Sequence, residues 1–114
     1  MGDQENRARA SRAERRRHER ARLIIDLYFE GQEGTGIAST KDISAGGLYM
    51  NTKALIPEGT SLTLRIPLGD EQIVVRGRVV YSNPGRGVGV KFQDLSERDR
   101  EIIERAVARE TDRP

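Results

Sequence analysis

Between Leu62 and Phe92 the sequence alternates with a period of two. Leu62, Leu64 and Ile66 fall on one side of an extended chain, and Thr63 and Arg65 on the other. Pro67 to Glu71 turns the chain back, and Ile73, Val75, Gly77, Val79 and Tyr81 then share a face opposite Arg76 and Arg78. Asn83-Pro84-Gly85 makes a further turn before Gly87-Val88-Gly89-Val90-Lys91-Phe92, which buries Val88, Val90 and Phe92. Three strands with one wet face, joined by hairpin-length turns, admit only an antiparallel arrangement, because a parallel one needs long crossovers.

The upstream half supplies three more. Leu23 to Phe29 is β-branched and aromatic enough for a half-buried strand. Gly31, Gly34 and Gly36 mark Glu30 to Gly36 as a turn, Ile37 to Ile43 reads as the second strand, and Leu48 to Thr52 as the third. Six short strands predict an all-β antiparallel barrel or sandwich. After them the period changes. Ser96 is placed to cap a helix, Glu97, Asp99 and Glu101 suit the positive end of its dipole, and Ile102, Ile103, Ala106 and Val107 form its apolar stripe. That stripe suits packing on the barrel or a partner chain equally well.

At 114 residues, the chain fits a single domain with a modest core. It has no cysteine and one histidine, His18, which removes disulfides, thiolate sites and cysteine nucleophiles and leaves no histidine cluster for metal or triad chemistry. No enzyme is expected, since no nucleophile–base pair is evident. The N-terminus has no apolar core for a signal peptide, and no apolar run reaches membrane-spanning length. A cytoplasmic protein without membrane insertion is therefore expected.

The net charge of +2 hides a strong asymmetry. Residues 1–22 carry eight arginines against four acids, whereas residues 23–114 carry twelve basic against fourteen acidic side chains. The positive charge belongs to an N-terminal arm, and most of it is arginine, whose planar fork suits phosphate and guanine. Such an arm is equally compatible with a solvated tail or with non-specific nucleic-acid binding. Only five aromatics are present, and most are expected on buried strand faces, leaving few platforms for stacking single strands. No DNA or RNA partner is expected.

Two local patterns carry chemistry. Arg16 and Arg20 are four residues apart and can grip phosphate oxygens or the O6/N7 edge of guanine. Asp42, Ser44, Gly46 and Gly47 lie in the turn after the second strand: the carboxylate accepts from guanine's N1–H and amine, the hydroxyl donates to a phosphate, and the glycines allow close approach or positive φ. Taken singly, each pattern is common in ordinary tails and turns.

In order and spacing, R-x-x-x-R before the first strand and D-x-S-x-x-G after the second, with the Gly87–Phe92 strand and closing helix, this sequence resembles the PilZ domain family of bacterial cyclic di-GMP receptors. The resemblance covers roughly residues 14–109 and implies a six-stranded antiparallel β-barrel with a C-terminal α-helix and a flexible basic N-terminal arm. The corresponding organisation is a tail over 1–14, a PilZ domain over 15–110 (ligand-binding arm 15–22, barrel 23–92, helix 96–110) and a tail over 111–114. It implies that Arg16 and Arg20 grip phosphate and guanine, that Asp42 and Ser44 hold the second side of the ligand, and that Gly47 permits the close turn. Arg15, just before the motif, implies an intercalated ligand dimer, two molecules per protomer. Glu19 stands where many members have proline. The resemblance implies an adaptor that relays the signal to an unidentified downstream protein, in motility, biofilm or exopolysaccharide control. The alternative is a PilZ-type interaction module acting without nucleotide, for example in pilus assembly. Whether the chain forms a homodimer through its helix stays open.

Overall fold

The computed structural model describes residues 24–32 and 34–111. Six strands, β1 (Ile25–Gly31), β2 (Gly34–Ser44), β3 (Gly47–Asn51), β4 (Ser61–Leu68), β5 (Glu71–Asn83) and β6 (Gly87–Gln93), are followed by one helix, α1 (Glu97–Thr111). The strands close into a barrel in the order β1-β2-β3-β6-β5-β4, every neighbouring pair antiparallel. Closure gives every described strand a partner on both sides.

Alternation builds the interior. Leu62, Leu64, Ile66 and Leu68 of β4 are buried, and they face Ile73, Val75 and Val79 of β5 and Val88, Val90 and Phe92 of β6. Gly77 completes the inward row of β5 because a Cβ there would run into the Val90 side chain. Ile102, Ile103 and Ala106 bring the apolar stripe of α1 onto this core, with contacts to β2, β4 and β5. Ser96 caps the helix as its sequence predicts: its Oγ accepts the Asp99 N–H at 3.1 Å. No described helix is long and apolar enough to cross a membrane.

The structure departs from the sequence expectation in three places. The expected turn Glu30–Gly36 shrinks to the two residues between Gly31 and Gly34, so β2 begins three residues early. Gly34 turns the chain at φ 132°, whereas Gly36 is a strand residue whose missing side chain accommodates the Phe29 ring opposite it. Tyr81 does not share the inward face of Val79. The register between β5 and β6 slips by one residue between Val79 and Tyr81, so Val80 and Tyr81 are both exposed. The aromatics are also less buried than expected: Phe29 and Phe92 are in the core, but Tyr28 and Tyr81 are exposed and Tyr49 is half-buried.

Candidate functional site

The D-x-S-x-x-G segment spans the end of β2, a two-residue loop and the first residue of β3. On β2, Ala38 and Thr40 point inward, so an uninterrupted strand would bury Asp42. The β2–β3 register instead shifts between Thr40 and Asp42. Lys41 is the extra residue, Ile43 takes the inward position, and Asp42 stands half-buried on the outer surface. Thr40, fully buried, secures this bulge. Its Oγ1 donates to the Tyr49 carbonyl oxygen at 2.6 Å and accepts the Asp42 N–H at 3.3 Å.

Ser44 closes the loop: its Oγ accepts the Gly46 N–H at 3.2 Å. The two glycines have different functions. Neither has a positive φ, so the left-handed freedom allowed by the sequence is not used. Gly47 is buried where a Cβ would collide with the Val90 carbonyl oxygen, so glycine is required for β3 to approach β6. Gly46 is exposed, a Cβ there would touch only Ser44 Oγ at 3.7 Å, and its carbonyl accepts the Phe92 N–H at 2.9 Å.

Strand pairing carries these residues into two outward rows. One runs Asp42, Tyr49, Gly89, Tyr81 across β2, β3, β6 and β5. The next runs Ser44, Gly47, Lys91, Arg78 across the same strands. Four strands span about 14 Å and successive outward rows lie about 7 Å apart. The patch thus combines a carboxylate, a hydroxyl, two phenol rings and two exposed cations. The rings lean over a strip of β6 without side chains: a Cβ on Gly87 would stand 2.8 Å from the Tyr49 ring, and one on Gly89 3.4 Å from Tyr81 Cβ. Among the described residues, neither Lys91 nor Arg78 is in an ion pair. Chemically, such a surface can accept from base N–H groups at one end, stack a flat ring in the middle and neutralise phosphate at the other.

Of the sequence-predicted residues, Asp42, Ser44, Gly46 and Gly47 are together on this face. Arg15, Arg16 and Arg20 lie outside the described residues. Tyr49, Tyr81, Lys91 and Arg78 were not singled out as site residues by sequence reasoning. Arg78 reads from sequence as part of a wet face, and the one available sign for Tyr81 was the run Val79-Val80-Tyr81, which breaks the alternation of β5.

Comparison with known families then places the chain: the PilZ domain model matches residues 14–109. The chain belongs to the PilZ domain family. Solved structures agree on the fold. The PilZ domain of CeSA from a cellulose-synthesizing bacterium has 20% identity over 79% of this chain and 95% of that one, with a TM-score of 0.62. The Bacillus subtilis inhibitor of motility MotI/DgrA has 21% identity, covering 82% of this chain and 50% of that one, with a TM-score of 0.70. The Borreliella burgdorferi protein PlzA, solved in complex with c-di-GMP, has 13% identity over 72% of this chain and 32% of that one, with a TM-score of 0.58. This PilZ chain thus spans half or less of MotI and PlzA, and nearly all of the CeSA domain. No match was found among curated proteins.

Proposed function

We propose that this PilZ protein is a receptor for cyclic di-GMP, bound across the outward rows of β2, β3, β6 and β5 and gripped from the N-terminal arm. The observation that carries this reading is the row Asp42–Tyr49–Gly89–Tyr81 beside the row Ser44–Gly47–Lys91–Arg78. Asp42 accepts from a guanine N1–H and amine, and Ser44 donates to the ligand. Tyr49 and Tyr81 offer ring faces to a base, and Lys91 and Arg78 balance phosphate charge. Arg16 and Arg20 grip phosphate and the opposite guanine edge, and Arg15 holds the second molecule of an intercalated dimer. The domain has no catalytic function in this reading. Closure of the arm over the ligand creates a surface that a downstream protein reads. The ligand of the PlzA complex and the shared family support the reading.

A single-stranded nucleic acid would also use exposed tyrosines and cations. The acceptor end of the patch argues against it, because Asp42 would repel a continuous phosphate backbone where a compact dinucleotide presents base edges. Titration calorimetry with cyclic di-GMP tests the proposal. The wild type is expected to bind near two molecules per chain and Arg20→Ala to lose most of the affinity. Binding near one per chain removes the dimer, and an absence of heat from folded protein removes the receptor. A steep salt dependence with an oligonucleotide, and no response to cyclic di-GMP, would favour nucleic acid instead.

A further inference from the structure

The other side of the barrel, centred on β1 and β4, has its own pattern. One outward row crosses β2, β1, β4 and β5: Ile37 pairs with Tyr28, Tyr28 with Arg65, and Arg65 with Val74. Its apolar members are open to solvent, Ile37 at 75%, Val74 at 49% and Tyr28 at 39% exposure. Asp26 and Glu30 lie two residues to either side of Tyr28 and therefore share its outward face. β1 thus presents a carboxylate–phenol–carboxylate column, and β4 presents the Arg65 guanidinium level with its centre. Among the described residues, none of Asp26, Glu30 and Arg65 is in an ion pair.

Read across the strands, the row is apolar, aromatic, cationic, apolar. Turned over about an axis parallel to the strands and midway between β1 and β4, it meets its own copy in register. Ile37 then falls on the partner's Val74, and Tyr28 on the partner's Arg65. The same rotation sets the partner's Arg65 between Asp26 and Glu30. A two-fold interface needs this self-complementarity, and a guanidinium over a phenol ring flanked by two carboxylates satisfies it.

We infer that this face binds a second copy of the chain, leaving the Asp42 and Ser44 surface of both copies open. Four strands by three outward rows give an area below the roughly 800 Å² per partner typical of stable complexes. The dimer is therefore weak and concentration-dependent.

Sedimentation equilibrium of the full chain, without nucleotide and up to about 1 mM, where even a millimolar association registers, tests the inference. A monomer–dimer equilibrium is expected. Ile37→Asp and Arg65→Glu should each weaken it at least tenfold while leaving the circular dichroism spectrum unchanged. Arg65→Glu combined with Asp26→Arg and Glu30→Arg should recover it, because the charges are exchanged on both faces at once. A monomer throughout the range overturns the inference. So does a dimer whose constant is unchanged in both single variants, since its interface lies elsewhere. Weakening in the single variants without recovery in the triple variant overturns the register proposed here.

Discussion

The hydroxyl of Thr40 donates to the carbonyl oxygen of Tyr49 at 2.6 Å, and this contact governs where Asp42 points. The Thr40 hydroxyl oxygen in turn accepts the Asp42 N–H at 3.3 Å, so one buried side chain satisfies the two backbone groups that the Lys41 bulge would otherwise strand. Thr40→Val keeps shape and removes both bonds. It should destabilise the domain by about 1–3 kcal/mol. It should also lower affinity for cyclic di-GMP although Thr40 does not face the ligand surface, and Thr40→Ser should recover both properties. Chemical denaturation and calorimetry on the three proteins check this. A Thr40→Val domain of full stability would show that the bulge does not depend on the hydroxyl.

Adjacent glycines separate packing from openness. Gly47→Ala puts a methyl group against the Val90 carbonyl oxygen, backbone that cannot rotate away. A loss of about 1–3 kcal/mol is expected as β3 and β6 are forced apart. Gly46→Ala meets only Ser44 Oγ at 3.7 Å, and its effect should stay within about 0.5 kcal/mol. Parallel thermal melts decide the pair, and equal effects would contradict the packing role given to Gly47.

The helix is held by its apolar stripe more than by its charges. Glu71 lies 3.8 Å from Arg98 and 3.6 Å from Arg105, but all three side chains are well exposed. Glu71→Gln should cost less than about 1 kcal/mol. Ile103→Ala, at a fully buried site, should cost about 2–5 kcal/mol. Denaturant midpoints at matched slopes test the order, and a larger effect at Glu71 would reverse it.

Lys91 and Arg78 adjoin Gly47 and Ser61 across the strands and extend the patch away from Asp42. If they balance phosphate charge, Lys91→Met should reduce cyclic di-GMP affinity roughly tenfold, about 1.4 kcal/mol. The variant should also respond less to added salt than the wild type does. Titrations at two ionic strengths provide the readout, and unchanged affinity at both would remove Lys91 from the site.

Much of this architecture was legible in the chain. The alternation of Leu62, Leu64 and Ile66, the hairpin-length turns and the Ser96 cap were enough for six antiparallel strands followed by a helix, and the family resemblance chose a barrel over a sandwich. The two bulges were not. A single extra residue in a strand leaves no compositional mark, yet it reverses the facing of everything beyond it. That is why Tyr81 was expected inside and lies outside, and why alternation alone would have buried Asp42. Gly36 misled for a related reason: it is a strand residue that makes room for the Phe29 ring, although glycine in a sequence reads first as a turn. The arginines of the arm remain an inference from sequence, since Arg15, Arg16 and Arg20 lie outside the described residues.

The central claim is that cyclic di-GMP lies on the β2-β3-β6-β5 face. Amide chemical shifts of the isotope-labelled full chain during titration with the ligand test it most directly. The account predicts saturating shifts at Asp42, Gly47, Gly89 and Tyr81, with Ile37 and Val74 unmoved at a protein concentration low enough to keep the chain monomeric. Shifts centred on Ile37 and Val74, or none at Asp42 and Gly89 in a folded protein, would contradict it.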